Sequence, residues 1–355
     1  MKLNIFTPFL FLGAARSASL FSAIEECFAE PATLNFPNIR SELVQFAQYC
    51  SLAYCMPVNE LKDTDLKDAC PISSCTESTG DQQVIFQFDN DASGLIVQDN
   101  TTKRIILVFK GTTTLEEYAI DFDTVQSDYT PYTVSKGINT VDFTCKNCKV
   151  HAGFYEATQV FMNDAFQKMV DLHKEYPDYE IDVTGHSLGA SLAVLAANEL
   201  RLVGIDVTLI NFGSPKVGDP NFASWMDNWY DTTSLTSFLK ASSGDELPAN
   251  SYTRVTHYGD IVPIVPFAAM DFSHCGSEVR ISEDESQLQL RGSWSLCHEL
   301  QDWESVSSSA LEAIAEGNWL AALDTEDITE HHLDYFIDVS QCMTTTILSL
   351  LGISS

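Results

Sequence analysis

The strongest constraint on the fold lies in residues 179–203. Tyr179-Glu-Ile-Asp-Val-Thr184 has the composition of a strand, and Leu188-Gly-Ala-Ser-Leu-Ala-Val-Leu-Ala-Ala that of a helix built from small residues. Ser187 stands at the corner between them, flanked by Gly185 and Gly189. The glycines leave room for the helix to approach the strand closely, and the helix N-terminus favours negative charge beside Ser187. Gly-x-Ser-x-Gly alone is weak, because it arises by accident in roughly one chain in ten of this length. A serine there could also simply cap the helix, but capping leaves both glycines unexplained. A nucleophile raised on a sharp strand-to-helix turn explains the whole stretch.

Further strands are predicted at 83–88, 94–97, 104–109, 180–184, 207–212 and 252–257, rich in Val, Ile and Phe, with helical patterns at 41–55, 154–176 and 188–203. The alternation of strands and helices predicts an α/β fold with a mainly parallel central sheet flanked by helices, and reactive residues at the carboxyl ends of strands. A chain of 355 residues can bury a substantial single core. One domain is expected over 38–355, preceded by a pro-segment or arm at 19–37. Two stretches read as elaborations, 226–248 and 281–330. The second is acidic and carries an amphipathic helical pattern around 306–323, more in keeping with a solvated packing element than a pocket cover.

The first residues, MKLNIFTPFLFLGAARSAS, combine one lysine, an apolar run and small residues, the pattern of a secretory signal peptide over 1–18. The run is too short to span a bilayer, so a secreted protein without a stable transmembrane anchor is expected. Ten cysteines fit an oxidising compartment. Cys145-Lys-Asn-Cys148 reads as a tight disulfide loop rather than half of a zinc site, since no second pair with zinc-ligand spacing follows. Asn100-Thr-Thr is the single N-x-S/T sequon and a glycosylation candidate.

Fifty acidic against nineteen basic residues give a formal net charge of −31, which repels a phosphate backbone and disfavours nucleic acid as a partner. Anionic membranes are disfavoured on the same ground, whereas an uncharged lipid, ester or polysaccharide carries no such cost. Solubility outside the cell accounts for most of the acidity.

A serine nucleophile needs a base oriented by a buried acid. Asp260, in His257-Tyr-Gly-Asp-Ile-Val-Pro, follows a predicted strand, and His332, in Glu330-His-His-Leu-Asp-Tyr-Phe, lies near the end of the chain. Ser, Asp, His is the chain order of α/β-hydrolases. The ordered set FAQYCSLAYC, VFKGT, CKNCKVHAGF, VTGHSLGAS, NFGSPKVGDP, YGDIVPIVP and HHLDYF, spread from Phe46 to Cys342, resembles secreted fungal triacylglycerol lipases of the class 3 lipase family, an α/β-hydrolase group related to feruloyl esterases.

The resemblance implies Ser187, Asp260 and His332 as a catalytic triad. His332 is preferred to His331 because only it has Tyr335 and Phe336 at the offsets of the family pattern. His331 is expected to be an exposed neighbour, His257, His274 and His298 structural or surface residues, and His151 a packing residue near the site. Asp219, in GSPKVGD, resembles a supporting turn. Oxyanion donors are expected from the backbone N–H of Leu188, directly after the nucleophile, and by resemblance from Thr112, whose hydroxyl can assist, with Gly111 permitting the turn. Lys110 stands where many relatives have arginine, and Ala190 where they have glycine.

After Thr112, Leu115, Tyr118, Ala119 and Phe122 fall on one face of a short helix opened by Thr114 and Glu117 at capping-box spacing. With Ile120, they form the apolar side of an expected lid. The resemblance further implies the disulfides Cys55–Cys342, Cys70–Cys75 and Cys145–Cys148. Cys27, Cys50, Cys275 and Cys297 stay unassigned, with Cys275–Cys297 one option. No cofactor or catalytic metal is implied, and a monomer is expected. The expected function is a secreted ester hydrolase, a triacylglycerol lipase working through an acyl-enzyme at a lipid–water interface. The rivals are a feruloyl-type esterase or phospholipase A1, and a non-catalytic lipid-binding protein.

Overall fold

Along Arg104–Phe109 the side chains alternate between two cores. Ile105, Leu107 and Phe109 enter one, Ile106 and Val108 the other, and all five are fully buried. A strand buried on both faces belongs inside a sheet covered by helices on each side. The computed structural model describes residues 32–34, 37–56, 63–65, 81–89, 92–112, 125–241, 246–315 and 331–342.

In chain order the strands are β1 (Ala32–Leu34), β2 (Thr64–Asp65), β3 (Gln82–Asp89), β4 (Ser93–Asp99), β5 (Arg104–Phe109), β6 (Gln126–Asp128), β7 (Lys149–His151), β8 (Glu180–His186), β9 (Thr208–Phe212), β10 (Tyr252–His257), β11 (Ser277–Ile281) and β12 (Leu288–Ser293). The α-helices are α1 (Pro37–Tyr54), α2 (Tyr132–Ser135), α3 (Ala152–Asp164), α4 (Phe166–Glu175), α5 (Leu188–Leu202), α6 (Pro220–Trp229), α7 (Thr232–Ala241), α8 (Leu296–Ser305) and α9 (Ser308–Ala315).

Ten of these strands form one sheet in the order β1-β12-β11-β10-β9-β8-β5-β4-β3-β2, while β6 and β7 pair separately. Its centre, β5-β8-β9-β10-β11, is parallel, and antiparallel strands extend it on both sides. Phe109 pairs with Gly185 and His186 with Phe212, so the loops after β5, β8 and β9 leave the sheet at one level. Apolar residues of α3, α4, α5 and α6 pack on one face, and those of α1 and α7 on the other.

Each strand predicted from sequence is present. The helix expected over 154–176 divides at Ala165, whose backbone (φ −119°, ψ −19°) ends α3 and starts α4. The break lets Phe161 and Phe166 pack edge to face, 6.1 Å apart. Within 19–37, read as an arm, Ala32–Leu34 pairs with β12 as an edge strand. The stretch 226–248 belongs partly to the body, since Leu235 and Leu239 of α7 are core residues. The stretch 281–330 opens with β12, then α8 and α9. Strand β11 escaped prediction because Ser277-Glu-Val-Arg-Ile reads as polar. Glu278 is nonetheless fully buried, 3.0 Å from both Arg254 and Arg291, and accepts from Thr256. Buried charge is tolerated when it is paired in this way.

Disulfides join Cys55 to Cys342 and Cys145 to Cys148, as the resemblance implied. Cys275 is a free, buried thiol and Cys297 is disulfide-bonded, which overturns the Cys275–Cys297 option. Cys70 and Cys75 lie outside the described residues, as do 1–18 and the upper part of 306–323. No helix among the described residues is long and apolar enough to cross a membrane.

Asp182, on β8, is completely buried and 3.6 Å from Arg104, a cation it shares with Glu42 at 3.0 Å and Glu180 at 3.5 Å. Desolvation outweighs that divided attraction and pushes the Asp182 carboxyl from 3.8 up to about 7. Because the folded state holds this proton more tightly than the unfolded state, the contribution is full below the unfolded value and is lost as pH rises toward 7. Asp182→Asn is therefore expected to gain stability relative to the parent across this window, by up to about 1.4 kcal/mol per pH unit, with no further gain above it. Urea unfolding of both proteins at intervals from pH 4 to 8 checks this.

Candidate active site

Ser187 joins β8 to α5 with φ +61° and ψ −130°, a conformation that a non-glycine residue adopts only when its surroundings enforce it. Its N–H donates to the carbonyl of Phe212, 3.0 Å away, and its carbonyl accepts from Ala190. The expected glycine packing is present. A Cβ on Gly185 would lie 2.3 Å from the carbonyl oxygen of Gly189, and one on Gly189 would lie 2.5 Å from that of Phe109. The corner therefore holds three backbones in contact, with Ser187 Oγ buried and without a hydrogen-bond partner. Ser187 makes no side-chain cap to α5, so the capping alternative is not what the residue does here.

Asp260 follows β10 and is almost fully buried. Its carboxylate accepts from His332 Nδ1 at 3.0 and 3.1 Å, from the Tyr335 hydroxyl at 2.6 Å and from the Val262 N–H at 2.9 Å. Burial and the adjacent carboxylate push the Tyr335 phenol well above its ordinary pKa, so it stays a donor. With Nδ1 facing a carboxylate, the neutral His332 ring carries its proton there and leaves Nε2 bare. Nε2 is buried without a partner.

Gly213 (φ +57°) supplies the floor under this cluster. A Cβ there would stand 3.0 Å from Tyr335 Oη, 3.1 Å from His332 Cε1 and 3.2 Å from Asp260 Oδ2. Gly213 immediately follows Phe212, whose carbonyl holds the Ser187 N–H, so the serine corner and the Asp260–His332 pair meet across one short loop.

Gly111 and Thr112 follow β5. A Cβ on Gly111 would lie 3.1 Å from Ser187 Cβ, which sets the Gly111–Thr112 turn against the nucleophile corner. Thr112 Oγ1 is also buried and unpartnered. Leu188, the first residue of α5, packs against an apolar cluster of Ile261, Val262, Ile264, Val306 and Ala310, with Phe267, Trp303 and Leu311 at its margin. The expected lid residues Leu115, Tyr118, Ile120 and Phe122 lie outside the described residues.

The other histidines are structural. His331 is half-buried rather than exposed, stacked 5.3 Å from His257 and pressed over Gly259, where a Cβ would come within 2.4 Å of its ring. His274 Nε2 meets the carbonyl of Pro263 at 2.7 Å, and His298 faces Glu278 at 3.4 Å, with burial lowering its pKa to about 4. His151 is buried and stacks 4.1 Å from Phe154. Asp219 caps α6 by accepting from the N–H of Phe222 and also accepts from that of Lys149, as a supporting turn should.

Sequence reading missed three supports. Tyr54 bonds to His186 Nδ1, and His186 Nε2 meets the carbonyl of His332, each at 2.8 Å. Lys216 is fully buried, ion-paired with Glu299 at 2.9 Å and hydrogen-bonded to the carbonyls of Pro263 and Ile264, fixing the segment after Asp260. The presence of His186 beside Ser187 was the available signal for the first two.

A Saccharomyces cerevisiae protein, "Putative lipase LIH1", is 30% identical over 328 residues, covering 86% of this chain and 95% of its own. The chain belongs to the class 3 lipase family. The family description, Lipase (class 3), matches residues 106–270 of this lipase. A secreted mono- and diacylglycerol lipase of Gibberella zeae is 32% identical over 188 residues, covering 51% of this chain and 44% of its own. The crystal structure of Lip2 lipase from Yarrowia lipolytica superposes with a TM-score of 0.67 at 26% identity, covering 87% of this chain and 97% of its own. The family and the α/β-hydrolase fold expected from sequence are thus both found.

The Tyr335 hydroxyl donates to a buried carboxylate, a hydrogen bond whose loss costs about 1.5–3 kcal/mol. Tyr335→Phe is expected to lower kcat/KM for ester hydrolysis by roughly ten- to a hundredfold, measured by steady-state kinetics on a soluble ester.

Proposed function

We propose that this lipase is a secreted acylglycerol hydrolase in which Ser187, His332 and Asp260 form the catalytic triad. The single observation that carries this reading is a set of three buried polar atoms without partners, Ser187 Oγ, His332 Nε2 and Thr112 Oγ1, beside a histidine oriented by its carboxylate. A bare imidazole nitrogen and a free serine hydroxyl are the base and nucleophile of acyl transfer. His332 Nε2 takes the Ser187 proton as Oγ bonds to the acyl carbon, and the carbonyl π pair moves onto oxygen. The N–H groups of Leu188 and Thr112 stabilise that oxyanion, assisted by the Thr112 hydroxyl and the N-terminus of α5. Collapse expels the alcohol, which receives the proton from His332. Water, deprotonated by the same nitrogen, then cleaves the acyl-enzyme and restores Ser187.

The apolar cluster around Leu188 suits an acyl chain, and the net charge of −31 suits a neutral substrate surface. Residues 115–122 act as an amphipathic lid in this reading. The disulfides Cys55–Cys342 and Cys145–Cys148 and the N-terminal pattern support secretion, during which Asn100, exposed on the β4–β5 turn, is open to glycosylation. One domain, expected over 38–355 and joined at its sheet edge by β1, functions as a monomer in this reading.

Activity on a long-chain triglyceride emulsion is expected to exceed that on feruloyl methyl ester and on phosphatidylcholine. Strong hydrolysis of either of these with a negligible rate on the emulsion would replace the acylglycerol assignment. A serine-directed phosphonate is expected to add its mass to the Ser187 peptide and to leave Ser187→Ala unlabelled and inactive. A folded protein that hydrolyses none of the three and takes up no phosphonate is the lipid-binding alternative.

A further inference from the structure

Three turns must keep their relative positions for acyl transfer: the Gly111–Thr112 turn, the Ser187 corner and the segment bearing His332. The last arrives from the far end of the chain. Between it and the first runs a line of direct contacts. The Tyr54 hydroxyl lies against the Gly111 backbone. That hydroxyl and His186 Nδ1 are 2.8 Å apart, as are His186 Nε2 and the His332 carbonyl oxygen.

The proton positions follow from the partners. A carbonyl oxygen only accepts, so His186 Nε2 carries the ring proton and donates it. Complete burial and the neighbouring His332 hold the His186 pKa well below its ordinary value, so the ring is neutral and Nδ1 is bare. Tyr54 therefore donates its proton to Nδ1. Both links then have one donor and one acceptor, and reversing either breaks the line.

We propose that Tyr54 and His186 are positioning residues, a hydrogen-bonded strut that fixes the main chain of His332 relative to the oxyanion turn. A satisfied core histidine needs only two partners of any kind. Here one end holds the His332 carbonyl and the other packs against Gly111, in the segment bearing Thr112. The strut also has no slack. A Cβ on Gly111 would fall 2.2 Å from Tyr54 Oη and 2.7 Å from the His186 carbonyl oxygen. The His186 and His332 rings lie 4.6 Å apart, so a shift of one displaces the other. Cys55, next to Tyr54, is disulfide-bonded to Cys342, anchoring α1 covalently to the segment beyond His332. Tyr54 is thus tied to the His332 segment from both sides, by hydrogen bonds through His186 and by the covalent bridge beside it.

The inference rests on the roles proposed above for Ser187, His332 and Thr112. Its test uses a soluble short-chain ester, so that surface adsorption does not enter, and compares kcat and KM for Tyr54→Phe, His186→Leu, His186→Gln and the double variant Tyr54→Phe/His186→Leu, with Ser187→Ala alongside. Tyr54→Phe removes one oxygen and is expected to lower kcat about tenfold with KM within about twofold, the pattern of lost transition-state geometry. His186→Leu is expected to lose about a hundredfold in kcat, and His186→Gln, which keeps an N–H donor toward the His332 carbonyl, to recover about tenfold of it. Because the links act as one unit, the double variant should be no worse than His186→Leu alone. Unchanged kcat in Tyr54→Phe, effects confined to KM, a Gln variant no better than Leu, or losses that multiply in the double variant each overturn the strut. Should His186→Leu fail to fold, Tyr54→Phe decides by itself. Activity that survives Ser187→Ala overturns the underlying triad instead, so the two failures are told apart.

Discussion

The site depends on two missing Cβ atoms. Gly185 and Gly189 let α5 descend until the backbones of β8, of the helix N-terminus and of the end of β5 touch, with no side chain between them. Any side chain at either position would lift the helix by the width of a methyl group or more. Ser187 could then not hold its positive φ while keeping its N–H on the Phe212 carbonyl, and Leu188 would move away from the turn after β5. The strain at Ser187 is a consequence of this packing, sustained by the buried α5 and the fully buried strands beneath it.

Parallel register does the rest of the assembly. Because β5, β8, β9 and β10 run in one direction and pair at matched levels, the segments following them emerge at a common edge. Gly111, Ser187, Gly213 and Asp260 are far apart in the chain and neighbours at that edge. Beyond β10 the sheet is held by ions as well as by apolar contact: Glu278 on β11 lies between Arg254 and Arg291, and Arg291 also reaches Asp302 on α8 at 2.6 Å. Such groups gain little net stability over an apolar core, but removing one partner strands the other in a medium that cannot solvate it. The cluster therefore fixes where α8 sits, and through Glu299 and Lys216 it fixes the loop that follows Asp260.

What the sequence made legible follows from how each element announces itself. Strand β5 is apolar on both faces, β8 and β9 set Ile, Val, Leu and Phe among polar residues, and these could be read directly, as could α5, whose small residues flank the serine. The triad order and the histidine choice were legible because Tyr335 and Phe336 stand at fixed offsets from His332, and the Tyr335 hydroxyl is indeed on Asp260. Strand β11 was hidden because Glu278 and Arg280 look like surface residues until their partners on β10, β12 and α8 are known. Ala165 gave no glycine or proline to mark the division of α3 from α4. Tyr54 and His186 were passed over for another reason. The one signal was the place of His186 beside Ser187, and their significance lies in the His332 carbonyl and the Gly111 backbone, which no residue pattern encodes.

The two halves of the proposed relay differ in order. On the acid side, Asp260 accepts from His332, Tyr335 and the Val262 N–H, so the carboxylate and the imidazole plane are over-determined. On the nucleophile side, Ser187 Oγ and His332 Nε2 are both buried and both unpartnered, separated by no competing hydrogen bond that would have to break first. Fixing the imidazole is the harder task, because its orientation and tautomer must both be right before a proton can move. The Ser187 hydroxyl makes no hydrogen bond that fixes its rotamer, and one side-chain rotor is cheap to order. The fold therefore spends its rigid contacts on the histidine and leaves the serine to be positioned by the acyl carbon it attacks. That division is consistent with a nucleophile whose backbone, rather than side chain, carries the constraint.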